Sequence, residues 1–318
     1  MRKPSVLIVT PALADARNGN WQTARRWAKL LAAQFSVRLA QAWDGSPADL
    51  MLALHARRSA DAIAAWAATG RPLAVVLTGT DLYRDIADDA AAQRSLALAD
   101  RLVVLQDQAP LALPLVLRDK AVVCYQSTTT RQPHEKARGR LNLVAVGHLR
   151  AEKAPRMIFE LARRLAGESG LRIDHIGAAL DPDLGAEAAA LAAGSPAYRW
   201  LGSLPHEAVR RRIARAHLLV HPSVMEGGAH VIMEAACSGT AVLASRVDGN
   251  VGMLGADYAG YFPPGDVDAL AALVRRGRAE PAFLDGLLAQ CAARAPLFSP
   301  ERERATLVQL IRSLLERP

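Results

Sequence analysis

Glu226 and Glu234 are separated by seven residues and enclose the pair Gly227-Gly228. Ahead of them Leu218-Leu219-Val220 reads as a buried strand that runs into His221-Pro222-Ser223. Ala229 and His230 then open a predicted helix that carries Glu234. Paired glycines at a strand-to-helix turn let the backbone come close to a phosphate, and a helix N-terminus favours its charge. Carboxylates flanking such an anion site suit hydroxyls better than phosphates. A ligand with phosphates in the middle and hydroxyls at both ends is a nucleotide sugar. The plainer alternative is a Gly-Gly turn between two solvated glutamates.

A second stretch, Val146 to Lys153, is a strand end, Gly147, His148 and a loop with two fixed cations, Arg150 and Lys153. Such cations suit neutralisation of a diphosphate leaving group, where negative charge develops, and the alternative is a solvated charged loop. Three further stretches lie in the first half of the chain. They contribute Gly19, Asn20, Thr23 and Arg25; His55, Arg57 and Arg58; and Gly79, Thr80 and Arg84. All follow predicted strands, and a glycine-rich helix start with nearby arginines suits a small multiply charged anion as acceptor. His55 is placed to shuttle a proton or donate a hydrogen bond, or else is a satisfied histidine at a strand end. Neighbouring arginines on a helix point about 100° apart, so one each of Arg25/Arg26 and Arg57/Arg58 is expected in solvent. Asp81 and Asp85 either orient these arginines or, for Asp81 or Thr80, cap a helix. His175, His206 and His217 are expected to be structural.

The elements that must position these residues alternate between short apolar runs and Ala/Leu-rich helices. Strands are predicted at Val6–Thr10, Val37–Ala40, Leu50–His55, Leu73–Leu77, Arg101–Leu105 and Ala121–Tyr125. They are separated by a Gly/Asn turn with a helix over Trp21–Gln34 and by helices ending near Thr69 and spanning Ala90–Ala99. A polar segment, Ser127 to Arg140, reads as a linker. The pattern restarts with strands at Leu141–Gly147, Leu171–Ile176, Tyr198–Leu201, Leu218–Val220 and Ala241–Ala244. The expected fold is α/β, two Rossmann-like doubly wound parallel sheets facing across a ligand cleft. The expected domains are 1–138, 139–300 and a C-terminal helix over 301–318 that packs back toward the first.

Composition narrows the function classes. The 318 residues are 51% hydrophobic, which excludes a disordered chain, and the net charge is +8. The arginines are spread over many helices without a basic tail or aromatic ladder, so small anionic substrates are expected and nucleic acid is not. The three cysteines, Cys124, Cys237 and Cys291, are scattered through apolar contexts and point to buried thiols. No Asp-x-Asp or His/Cys cluster has ligand spacing, so no metal or other cofactor is expected. No run approaches the roughly 20 apolar residues that span a bilayer, and a cytoplasmic location is expected.

Taken together, Gly147-His148-Leu149 with Lys153, the Glu226/Glu234 pair, Leu201 to Glu207, Pro222-Ser223 and Pro263 to Asp266 resemble a known family. It is the large retaining glycosyltransferase family of glycogen-synthase-like and sucrose-synthase-like enzymes, which have the GT-B fold. The resemblance covers roughly residues 140 to 318. It implies that Glu234 binds ribose hydroxyls and Glu226 sugar hydroxyls, that Gly227 and Gly228 present amides to sugar and phosphates, and that Lys153 holds the diphosphate. His148 stands where the family usually has arginine, and Arg150 is the nearby cation.

Asn18 to Trp27, Ala53 to Ser59 and Thr78 to Asp85 are similar to a narrower group, the selenosugar synthases of selenoneine biosynthesis. That resemblance implies a UDP-N-acetylhexosamine donor such as UDP-N-acetylglucosamine, a selenophosphate acceptor, release of UDP, and a link to other enzymes of that pathway. The alternatives are a conventional retaining glycosyltransferase with a carbohydrate, lipid or small-metabolite acceptor, and a catalytically inactive nucleotide-sugar-binding regulatory protein.

Overall fold

The computed structural model describes residues 2–12 and 19–316, so Asn18 and the start of the expected Gly/Asn turn lie outside the described residues. The chain divides into two units, Met1–Ser127 with Ser299–Pro318, and Thr128–Phe298.

In the first unit β1 (Ser5–Val9), β2 (Ser36–Ala40), β3 (Leu50–Leu54), β4 (Leu73–Val76), β5 (Arg101–Val104) and β6 (Ala121–Val123) form one sheet in the order β2-β1-β3-β4-β5-β6. Every pair is parallel. Successive side chains on a strand point to opposite faces, so an apolar run buried on both faces needs helices on each side. Val6, Ile8, Leu52 and Val76 pack with Trp27 and Leu31 of α1 (Gly19–Leu31) and with Leu307, Ile311 and Leu314 near the C-terminus. Leu7, Val9, Met51 and Val75 pack on the opposite face with Ile63 and Trp66 of α2 (Ala60–Ala67). After α3 (Ile86–Asp88), the helix α4 (Ala90–Leu98) adds Ala92 and Leu96 to that second cluster.

In the second unit β7 (Leu141–Val146), β8 (Leu171–Ile176), β9 (Tyr198–Trp200), β10 (Leu218–His221), β11 (Ala241–Ser245) and β12 (Tyr261–Phe262) are ordered β12-β11-β10-β7-β8-β9, again all parallel. The helices are α5 (Pro155–Arg164), α6 (Pro182–Gly194), α7 (His206–Arg215), α8 (His230–Ala236), α9 (Asp248–Leu254), α10 (Val267–Ala279) and α11 (Pro281–Arg294). The chain winds outward from β7 to β9, then returns to the other side of β7 for β10. That reversal makes β7/β10 the switch point of the sheet, where the loops leaving the strand ends diverge and a ligand crevice opens. The two-residue β12 is too short to stand out as a strand in the apolar pattern of the sequence.

The unit boundary falls at Ser127/Thr128, ahead of the expected break at 138. Residues of the polar segment pack on the second unit: Arg210 donates to Thr128 Oγ1 and the Thr129 carbonyl, and Lys136 to the carbonyls of Ala214 and Ala216. The last helix, α12 (Pro300–Leu315), belongs to the first unit. Its Glu303 is buried and accepts from Trp27 Nε1 at 2.7 Å, Arg26 Nε at 2.9 Å and the Ser127 amide at 2.9 Å. A buried carboxylate is tolerated only with such a full set of partners.

Candidate active site

The loops leaving β7 and β10 carry the two stretches read from the sequence, and the switch point brings them together. The Val224 amide donates to the Glu152 carbonyl at 3.0 Å, which ties one loop to the other. Across this tie Lys153 Nζ donates to Glu226 Oε1 at 2.5 Å. Gly147 leaves room for the lysine: a Cβ there would lie 3.3 Å from Lys153 Cγ. Gly249 of α9 is far more tightly constrained, because a Cβ would strike the Glu226 carbonyl, so only glycine lets that helix back the glutamate loop.

Glu226 is buried, and burial alone would raise its carboxyl. Lys153 and His221 outweigh that and hold it well below the usual carboxylate range. His221, at the end of β10, places Nε2 3.0 Å from the same Oε1. In the sequence this histidine reads as part of a strand exit, and nothing there marks the carboxylate it meets.

Glu234, on α8, is also buried and is met by His206 Nε2 at 2.6 Å. The His206 ring is mostly exposed, and its hydrogen bond to Glu234 raises its pKa above the ordinary value. The first turn of α7 aims His206, expected to be structural, at this carboxylate. Arg131 pairs with Glu207 beside it, at 2.9 Å. Ala229 caps α8 and His230 is its first residue; no side chain caps this N-terminus. Gly227 is buried and Gly228 half-buried between Glu226 and that helix.

His148 is exposed, and its Nδ1 accepts from the Ala178 amide at 3.1 Å. Burial on one side and the neighbouring Arg150 and Lys153 lower its pKa, so it is a poor stand-in for a permanent cation. Arg150 is the other cation of this loop besides Lys153. It is half exposed, with Glu152 at 3.9 Å, and does not join the Lys153–Glu226 pair.

In the first unit β3 ends at Leu54 and His55 turns into the left-handed region at φ 72°, a conformation rare for a residue with a side chain. Its Nδ1 accepts from the Arg58 amide and its Nε2 donates to Thr80 Oγ1 at 3.2 Å. Burial lowers its pKa despite the nearby Asp81 and Asp85. With the ring 2% exposed and both nitrogens engaged, His55 joins two loops and is not presented as a proton shuttle. Asp81 is buried and accepts from the amides of Ala56, Thr78 and Gly79, so it ties two loops together; the turn that follows has Thr80 at its N-cap with no side-chain capping bond, and the expected helix-capping role is corrected. The chain continues as a π-helical turn, Asp81–Asp85, a rare form that recurs at functional sites.

Asp85 orients arginines as expected, with Arg84 Nε at 3.1 Å and Arg57 Nε at 3.3 Å. Arg58 is exposed, as is Arg25 on α1, while Arg26 is taken up by Glu303. Gly19 is exposed and Asn20 half-buried at the start of α1. Thr23 is corrected from an acceptor contact to a packing residue. It is buried, its hydroxyl donating to the Gly19 carbonyl and accepting from Gln126 at 2.5 Å.

Among the described residues no group of three His, Cys, Asp or Glu side chains could hold a metal, and no helix is long and apolar enough to cross a membrane. The three cysteines are buried and free.

Residues 96–283 match the family described as Glycosyl transferases group 1. No curated protein matches the sequence. Among solved structures, the chain is similar to sucrose-phosphate synthase of Thermosynechococcus elongatus, with 18% identity and TM-score 0.77 over 98% of this chain and 99% of that one. It is similar to Anabaena HepE in complex with UDP and glucose, with 14% identity and TM-score 0.74 over 98% and 100% of the two chains. A glycosyltransferase from Rickettsia africae aligns over the whole of both chains with 11% identity and TM-score 0.73. Two parallel Rossmann-like sheets of this order define the GT-B class. The chain belongs to the glycosyl transferases group 1 family and is a glycosyltransferase.

Proposed function

We propose that the enzyme transfers an N-acetylhexosamine from a UDP-activated donor, UDP-N-acetylglucosamine or a close relative, to selenophosphate. The observation that carries the donor half is the convergence of Lys153 and Glu226 at the β7/β10 switch point, with Glu234 buried on the helix that follows. Lys153 meets the diphosphate, Glu226 the sugar hydroxyls and Glu234 the ribose, while the amides around Gly227 and Gly228 approach sugar and phosphate. The UDP bound to HepE supports a uridine donor. Arg150 supplies further positive charge to the loop.

The acceptor half rests on the resemblance of the Gly19, His55 and Gly79 stretches to selenosugar synthases. The charge of that region agrees: Arg57 and Arg84 are steered by one buried carboxylate, Asp85, beside Gly79 and Thr80, and Arg25 and Arg58 are exposed nearby in sequence. Two fixed guanidiniums suit a small multiply charged anion. In the step itself the selenium lone pair of selenophosphate forms the bond to the anomeric carbon. The bond from that carbon to the diphosphate oxygen breaks with its electron pair, and UDP leaves toward Lys153. Hydrolysis later removes the phosphate from selenium. Selenium is acidic and soft enough to attack without a strong general base, so no proton transfer through His55 is needed.

Incubation with UDP-N-acetylglucosamine and selenophosphate, with phosphate in parallel, tests this reading. UDP release together with a selenium-bearing amino sugar by mass spectrometry is expected. UDP release no greater than with phosphate removes the selenosugar assignment, and turnover with a carbohydrate acceptor instead identifies a conventional transferase.

A further inference from the structure

Glu234 is a buried carboxylate with basic side chains around it, and they are not equivalent. Arg210 of α7 and Arg131 of the polar segment both lie within electrostatic reach of it. Their donors are engaged elsewhere. Arg210 Nη1 and Nη2 hold Thr128 Oγ1 and the Thr129 carbonyl, and its buried Nε makes no hydrogen bond. Arg131 Nη1 and Nη2 hold Glu207. His206 lies four residues before Arg210 on the same face of α7, and its Nε2 donates to Glu234 Oε1 at 2.6 Å. Among the described residues no other group donates to this carboxylate.

Charge and direction are therefore supplied by different groups. The guanidiniums provide the positive surroundings that a buried carboxylate requires, but they do not orient it. The terminal torsion of a glutamate is soft, so a carboxylate without a hydrogen bond swings through a broad arc. The imidazole takes away that freedom by holding Oε1, and Oε2 is left for a ligand. We propose that His206 is the positioning residue that makes Glu234 selective for ribose over 2′-deoxyribose. With Oε1 held, Oε2 accepts from both neighbouring hydroxyls of the ribose. This role rests on the reading that Glu234 meets the ribose of a uridine donor. His206 acts through the glutamate and touches no reacting atom.

A carboxylate oxygen has two lone-pair directions, and the 2′- and 3′-hydroxyls of a ribose supply two donors to match them. A 2′-deoxyribose fills one direction and leaves the other unmet in a buried place, where an unpaired acceptor bears the full cost of its desolvation. That penalty exists only while the carboxylate is held. Once free to turn, it meets a lone 3′-hydroxyl about as well as it meets the pair, and the missing hydroxyl is no longer felt. The fold does not depend on the ring: His206 is mostly exposed, whereas Val209 and Ile213 are the apolar residues that α7 buries.

Calorimetric titration of the full chain with UDP and with 2′-deoxy-UDP reads this selectivity. The wild type is expected to prefer UDP about thirtyfold. His206→Phe keeps the bulk of the ring and removes its N–H. It is expected to bind UDP about tenfold more weakly, to bind 2′-deoxy-UDP within about twofold of the wild type, and so to keep only about a threefold preference. His206→Gln restores an N–H donor and is expected to keep a preference above about tenfold. A preference in His206→Phe as large as in the wild type, whether both nucleotides weaken together or neither does, overturns the proposal and leaves the donor reading standing. Equal binding of the two nucleotides by the wild type overturns it as well, because the ribose then does not meet Glu234, while uridine remains the donor's base. If UDP does not bind at all, the donor reading fails and takes the role of His206 with it.

Discussion

Glu234 and Glu226 are both buried carboxylates, yet each is neutralised differently, and that difference predicts their behaviour. Glu226 is locked to a lysine inside the loop pair, whereas Glu234 is reached by an imidazole at the surface, His206, 74% exposed against 6% for the glutamate. Replacing Glu234 by alanine removes a charge-assisted acceptor for the ribose. Uridine diphosphate affinity is then expected to fall roughly thirtyfold, the equivalent of about 2 kcal/mol, in a calorimetric titration. Unchanged affinity would show that the ribose sits elsewhere. Arg57→Ala breaks the guanidinium that Asp85 steers. It is expected to raise the KM for selenophosphate about tenfold or more while leaving donor affinity within about twofold. Equal loss for both substrates would argue against an acceptor role. These residues were legible because glycine, glutamate and lysine stood at fixed spacings. His221 and His206 were not, because nothing in a strand exit or a helix start says which carboxylate a nearby ring will meet.

Elements decide stability through what they bury. His175 of β8 is enclosed with its Nδ1 3.0 Å from the Tyr198 hydroxyl, and burial drops its pKa to about 4. The unfolded chain takes up a proton near pH 6.5 while the folded chain does not, so the unfolded state is favoured as pH falls from about 6.5 to about 4. Acid should therefore cost about 3 kcal/mol in that window, and melting temperatures of His175→Phe should fall less steeply with acid than those of the wild type. An unchanged slope would mean that other groups dominate. Helix α12 depends on Glu303, whose removal leaves Arg26 and Trp27 Nε1 without their acceptor. Glu303→Ala is expected to destabilise the first unit by about 3–5 kcal/mol, measured by denaturant unfolding. A loss below about 1 kcal/mol would show that the apolar stripe of α12 holds it unaided. The C-terminal helix was legible in the sequence; the part played by Glu303 in its first turn was not, because its partners come from α1 and Ser127.

For the whole molecule, the expected charge balance favours anions without a metal. The donor's diphosphate is to be met by Lys153, with Arg150 adding charge to that loop, and the acceptor by arginines of the first unit. Turnover is therefore expected to survive excess EDTA with less than about a twofold loss, whereas a metal acting as Lewis acid supplies several kcal/mol of barrier lowering that chelation would abolish. Loss of activity restored by Mg²⁺ or Mn²⁺ would overturn that expectation. The two-sheet α/β architecture was legible in advance, since runs such as Val6–Val9 and Leu141–Val146, buried on both faces, require helices on either side of a parallel sheet. The π-helical turn at Asp81–Asp85 and the left-handed His55 were not, because both are local distortions imposed by a buried aspartate collecting amides from two loops.

By itself the sequence determined the residue types available for chemistry and the period of each element, because turn glycines and apolar repeats act locally. It therefore specified two parallel sheets, and the Gly147–Lys153 and Glu226–Glu234 stretches as loops at strand ends. The tertiary structure alone decided which of these meet. The chain reverses direction between β9 and β10, so loops far apart in sequence leave adjacent strands, and Lys153 reaches Glu226. The same long-range packing withdrew Thr23 and the His55 ring into the interior and brought His206 and His221 onto the two glutamates. Such pairings depend on burial and on atoms contributed by other strands, and neither is written in the spacing of residues along one.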